Sequence, residues 1–308
     1  MDSLSWSRPH PDNLPQIRAK TVMNDSFSLE REFPHIFPRS PLPPPDRRSW
    51  VVFFVLLTGT IFTTFLAGGW LFSISLILIL GAHEFGHYWA SRRNHVRVSL
   101  PYFIPAPPVF IAGTFGAFIQ IKEPIPDRRV LMEIGAAGPI AGFIVAVPAL
   151  ILGLFLSTTT LSNAVYGIAF GSSIIMNILS QLILGVTPLS TDVDIQLHPI
   201  AFAGWIGLFV TALNLIPIGQ LDGGHIFYAL FKGRHRFWSF LFYLALFPLG
   251  FLWPGWWFWS VLIIVAGFQQ APLSNPHVTL ERKHRVLGYI AIIIFVLTFI
   301  PTPFKVIG

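Results

Sequence analysis

WLFSISLILILGAHEFGHYWASRR, residues 70–93, is an apolar run that carries three ionisable side chains, His83, Glu84 and His87, before it closes on two arginines. Ionisable groups at membrane depth cost several kcal/mol and mark function. H-E-x-x-H is also the spacing by which one helix face offers two zinc ligands and a general base. Residues four apart stack on one face, so His83 and His87 point at a common centre while Glu84 sits one position round. A chance pattern of satisfied core histidines is the alternative, and in a stretch this apolar its cost argues against it.

The composition extends this reading to the whole chain. Of 308 residues 53% are hydrophobic and only 11% charged, against about 25% charged in soluble proteins. The sequence predicts an all-α polytopic membrane protein. Apolar runs cover 50–66, 70–90, 130–156, 199–221, 237–251, 256–268 and 286–300, which predicts about seven transmembrane helices at roughly 20 residues per crossing. The net charge of +6 resides in short segments between these runs, the pattern of cytosolic loops rather than of a nucleic-acid surface. Arg47 and Arg48, then Arg92, Arg93 and Arg97, Arg128 and Arg129, Lys232 to Arg236, and Arg282 to Arg285 all fall on one side if the amino terminus is cytosolic. Making the apolar segment 171–187 a span would invert the later clusters, so it is expected as an interfacial or re-entrant helix. Residues 100–119, LPYFIPAPPVFIAGTFGAFI, hold too many prolines and glycines for a spanning helix. They predict a short re-entrant β segment beside the site.

Residues 1–49 are polar and proline-rich, with no apolar leader, and are expected as a disordered cytosolic tail. The transmembrane domain is expected over 50–302, with its core at 70–230, and 303–308 as a second tail. With no cysteine in the chain, a zinc site has to come from His, Asp and Glu.

A catalytic zinc takes three protein ligands and keeps a fourth position for water. Candidates beyond the HEFGH helix are Glu133, Asp192, Asp194, His198, Asp222 and His225. The topology puts Asp222 and His225 on the HEFGH side and Asp192, Asp194 and His198 on the other. Glu133 is on the right side, but a surface pairing with Arg128 or Arg129 accounts for it equally well. Spacing does not choose between Asp222 and His225, and Gly223 and Gly224 argue for a broken or tightly packed helix there. The remaining histidines, His10, His35, His95, His235, His277 and His284, lie in polar segments and read as surface residues. The tryptophans read as an interfacial belt.

HEFGH together with NLIPIGQLDGGH, residues 214–225, resembles the site-2 protease family of intramembrane zinc metalloproteases, in its compact multi-span prokaryotic and plastid-like branch. The resemblance covers about residues 70–230. It implies Glu84 as catalytic base, and His83, His87 and Asp222 as zinc ligands with His225 a neighbour. It further implies Asn214 as a residue that holds the substrate, and GTFGAFI, with Gly113 and Gly116, as the β segment that pairs with an extended substrate strand. The implied activity is regulated intramembrane proteolysis, the zinc-dependent cleavage of single-span membrane proteins near the cytosolic leaflet. One departure is Gly219–Gln220, where many relatives have a further proline. The partners expected are a transmembrane protein substrate and membrane lipid, with no nucleic acid, in a cell inner membrane or an organellar membrane. A prenyl-protein type of H-E-x-x-H enzyme would need a downstream E-x-x-x-D/N pattern in an apolar run, and no apolar run carries one. A membrane scaffold or zinc transporter is the alternative; ionisable residues spread over several spans and an inverted repeat would mark the transporter.

Overall fold

The chain reverses direction at Gly69, and that reversal lays the arm that carries HEFGH back against the arm before it. In the computed structural model, which describes residues 42, 44–107, 110–161, 167–188, 193–266 and 273–307, the first helix, α1, runs Arg47–Arg93 with non-helical backbone at Gly69 (φ 77°, ψ −177°). Thr64 Oγ1 lies 2.7 Å from Ser73 Oγ, and the Ser73 hydroxyl donates to the Ile61 carbonyl at 3.2 Å. Residues 12 apart on a straight helix stand about 18 Å apart. The two arms of α1 are therefore antiparallel. The conformation at Gly69 is in a region open essentially to glycine alone, and a Cβ there would meet nothing within 4 Å. Gly69→Ala isolates the backbone cost and is expected to destabilise by about 1–3 kcal/mol, read as a lowered Tm in detergent.

Along the second arm the buried positions Phe72, Leu76, Ile79, Leu80, His83, Glu84, His87 and Ala90 recur at helical spacing. Ile74, Leu78, Phe85 and Trp89 on the other face are all more than half exposed. A helix apolar on its exposed face as well as its buried one belongs in lipid.

Antiparallel strands β1, Tyr102–Pro105, and β2, Thr114–Phe118, follow. After β3, Ile125–Asp127, comes α2, Arg128–Phe155, whose first turn is capped by the Asp127 carboxylate accepting from the Arg129 and Val130 amides. Next are β4, Thr158–Leu161, β5, Gly167–Phe170, α3, Ile174–Leu184, β6, Val193–Gln196, and α4, Pro199–Asn214. The chain ends with α5, Asp222–Phe231, a 3₁₀ turn, α6, His235–Leu252, α7, Gly255–Ala266, β7, Leu273–Asn275, α8, Arg282–Thr298, and β8, Phe304–Ile307. Strands pair two by two, β3 with β7 in parallel, and β4 with β6 and β5 with β8 antiparallel. Residues 304–307, expected only as a tail, thus close a strand pair.

Among the described residues three helices, α1, α2 and α6, are long and apolar enough to cross a membrane. The apolar runs behind α4, α7 and α8 form helices of 16, 12 and 17 residues. The 171–187 segment holds an 11-residue helix, α3. Most of the expected amino-terminal tail lies outside the described residues, and Arg47–Ser49 form the first turn of α1. The main core joins α1, α2 and α4 through Phe72, Leu76, Ile79, Leu150, Leu154, Trp205 and Leu208. A second joins α2, α5 and α8 through Met132, Ile226, Ala229 and Ile294.

Candidate metal centre

Three side chains from two helices distant in sequence meet at one point. His83 Nε2 and His87 Nε2 are 3.2 Å apart, and Asp222 Oδ2 lies 3.3 Å from the first and 3.2 Å from the second. His83 and His87 are buried, 3% and 6% exposed. The His87 ring is oriented by its other nitrogen, which donates to the Ile134 carbonyl on α2 at 2.8 Å. With the proton on Nδ1, the His87 Nε2 lone pair faces both a carboxylate oxygen and a second imidazole nitrogen. Such an arrangement of electron pairs repels unless a proton on His83 or a metal cation stands between them. A tetrahedral ion with bonds of about 2.0–2.1 Å sets its ligand atoms about 3.3 Å apart, which is the spacing found. Among the described residues His83, His87 and Asp222 form the one cluster of three such groups close enough for a shared ion.

Asp222 reaches this point because α4 stops at Asn214 and α5 starts at Asp222. Between them the chain turns through Gly219 at φ 54°. Gly223 and Gly224 let the new helix press against the carbonyls of Leu215, Ile218 and Gly219, where a Cβ would collide. The break expected near the glycine pair therefore lies just before it. Asp222 sits in the first turn of α5, where the helix dipole favours a carboxylate.

Around the cluster is a cavity of about 190 Å³. Glu84 and His225 line it, as do Ala117, Phe118 and Ile119 from the β2 side and Asn214, Gln220 and Leu221 from the break. Asn214 Nδ2 stands 3.2 Å from His83 Nε2. Gly113 and Gly116 are not in this lining. Gly113 (φ 65°) precedes β2, and a Cβ there would strike the Thr63–Thr64 backbone of α1, while Gly116 (φ 101°) pairs with Ile104.

The other expected candidates fall elsewhere. Asp192 is outside the described residues, Asp194 lies in β6, and His198 caps α4 by accepting from the Ile200 amide at 3.3 Å. Glu133 does not pair with Arg128 or Arg129. It accepts from Asn94 Nδ2 at 2.8 Å and lies 3.2 Å from His284 Nε2. Arg128 instead donates to the Ala229 carbonyl at the end of α5, and Arg129 pairs with Asp127 and Glu281. The guanidinium of Arg129 holds the Glu281 carboxyl below its ordinary range. His284, expected on the surface, is 2% exposed, because α8 turns that side of its charged first turn onto α2.

Sequence reasoning missed a run of glycines on α2 against which the site is packed. A Cβ at Gly138 would overlap the His87 ring, one at Gly142 would come within 3.1 Å of His83 Nδ1, and one at Gly135 within 3.2 Å of His225 Cβ. The signal was present in GAAGPIAG, residues 135–142, a small-residue face of the sort that lets membrane helices approach closely.

Comparison with known proteins bears on the same stretch: a model of peptidase family M50 matches residues 71–249, over half of the chain and including both motifs. The chain belongs to the site-2 protease family, M50. Its M50 relatives include "Probable zinc metalloprotease EGY1, chloroplastic" of Arabidopsis thaliana, 40% identical over 150 residues, which are 47% of this chain and 27% of that protein. "Probable zinc metalloprotease EGY2, chloroplastic" of the same plant is 30% identical over 236 residues, 75% of this chain and 41% of that protein. "Probable zinc metalloprotease EGY3, chloroplastic" of Oryza sativa subsp. indica is 26% identical over 270 residues, 80% and 44%. The matches span less than half the length of these relatives. No solved structure matches the chain.

Proposed function

We propose that this M50 member is an intramembrane zinc metalloendopeptidase that cleaves single-span membrane proteins near the cytosolic leaflet. The observation that carries the reading is the convergence of His83, His87 and Asp222 at 3.2–3.3 Å on the wall of a cavity that Glu84 also lines. These three side chains would hold the ion, and zinc bound there would supply Lewis acidity at the scissile carbonyl. Glu84 takes a proton from the attacking water and passes it to the leaving amine. The Ile134 carbonyl fixes the His87 tautomer. Asn214, one helix end from Asp222, directs its amide toward the reacting carbonyl.

A peptide bond inside a helix is shielded by its own hydrogen bonds, so the substrate has to unwind. β2 belongs to a two-stranded sheet, and its outer edge offers the unwound segment main-chain partners. Gly113 and Gly116 shape that edge. The full arrangement proposed has seven spans, with the short helices α4, α7 and α8 among them, a re-entrant β1–β2 hairpin, α3 at the far interface and a cytosolic amino terminus. It places HEFGH and Asp222 on the basic, cytosolic side.

The test uses protein in detergent and a tagged single-span substrate. Cleavage is expected to stop when a chelator strips the metal and to return on adding zinc. Cleavage unchanged by stripping, with metal loss verified by elemental analysis, would end the reading, and a scaffold or transporter would show no cleavage at all.

A further inference from the structure

Glu133 is an acidic side chain with no part in the proposed chemistry, yet three helices meet on it. Its Oε2 accepts from Asn94, the residue that ends α1, and Asn94 Nδ2 also donates to the Ala90 carbonyl at 2.9 Å. Its Oε1 lies 3.2 Å from Nε2 of His284, in the first turn of α8. His284 Nδ1 is buried with no hydrogen-bond partner among the described residues, which puts the ring proton on Nε2, pointing at Glu133. One carboxylate thus receives N–H donors from α1 and α8 while standing on α2.

The place of this junction relative to the metal cluster gives it a role. Asn94 lies seven residues, or about two turns, beyond His87 on the same face of α1. Glu133 directly precedes Ile134, whose carbonyl holds His87 Nδ1. The Asn94–Glu133 and His87–Ile134 contacts are two rungs of one α1–α2 seam. Between them Ala90, Val96 and Ile134 pack as a small buried cluster. Without Glu133, the lower rung is lost, His284 keeps a buried donor with no acceptor, and the His87 end of the seam is free to shift.

We propose that Glu133 is a positioning residue: its carboxylate fastens the ends of α1 and α8 to α2 and so keeps His87 in register for metal binding. The functional consequence rests on the metalloprotease reading, whereas the clamp itself does not.

Two measurements separate them, on the full chain in detergent with Glu133→Leu and Glu133→Gln, and with Leu150→Ala as a control that removes buried packing from the far half of α2. In the first, zinc release to a coloured chelator is timed well below each Tm. Loss of a group supporting a ligand typically costs 10–100-fold in metal affinity, so Glu133→Leu is expected to release zinc on the order of 10-fold faster. Glu133→Gln, which keeps one acceptor oxygen, should fall between it and the parent, and Leu150→Ala should release at the parent rate. Equal release from Glu133→Leu and parent overturns the proposal, as does equally fast release from Leu150→Ala. In the second, amide hydrogen exchange without added metal should quicken at residues 90–95 and 282–287 in Glu133→Leu and stay unchanged in β1–β2. Unchanged exchange at both segments overturns the clamp. Should Glu133→Leu not fold, Asn94→Ala and His284→Phe each remove one donor, and their combined effect should be non-additive; simple additivity overturns the proposal. A parent protein that binds no zinc but shows the exchange pattern defeats the metalloprotease reading and leaves the clamp standing.

Discussion

Glu84→Gln is expected to lower the rate of cleavage by at least about 100-fold, since a positioned acid–base group contributes roughly 10²–10⁴-fold, while the protein keeps one zinc per chain. The amide is close to isosteric with the carboxylate, and Glu84 is not among the three converging side chains. Zinc content by elemental analysis and single-turnover cleavage of a tagged substrate give the two readouts. Activity within a few-fold of the parent would remove Glu84 as the base. Loss of zinc along with activity would instead make it a support of the metal site.

Gly138→Ala is expected to lower both stability and metal retention. The added carbon would overlap the His87 ring, so either His87 leaves its bond to the Ile134 carbonyl or the α1–α2 seam opens. Overpacking of a close contact costs about 1–3 kcal/mol in stability, and disturbing a ligand's support typically lowers metal affinity 10–100-fold. A lowered Tm together with weaker zinc retention is the expected result. Gly185→Ala provides the contrast: that glycine has a positive φ of 71° but open space around it, so any loss of stability there should leave zinc retention intact. Full zinc affinity in Gly138→Ala would show that the seam relaxes without moving His87.

How much of this was legible follows from the nature of each signal. The HEFGH helix and its two-ligand face could be read because helical periodicity fixes which residues share a face. The apolar runs marked where helices form, including both arms of α1 on either side of Gly69, but run length overstated helix length at 199–221, where α4 stops at Asn214 and the chain unwinds. The residues could not choose between Asp222 and His225. The family resemblance favoured Asp222, and the structure places its carboxylate against both imidazoles. The carbonyl of Ile134 was out of reach because every residue has one, and only the fold decides which receives an imidazole. The burial of His284 was misjudged for a related reason: ERKHR reads as a solvated run, yet one side of its turn faces Glu133.

The non-helical tract from Leu215 to Leu221 has a consequence for hydration. Peptide groups outside regular secondary structure persist in a bilayer only where protein or a watery space covers them, and Gln220 and Leu221 border the same chamber as Asp222. Protein covers Leu215 to Gly219, and the exposed Gln220 makes the far end of this interruption an open rim of the chamber. A reaction that consumes one water per bond broken would draw its co-substrate along that rim, and not through the lipid-facing side walls where Phe85 and Trp89 point outward.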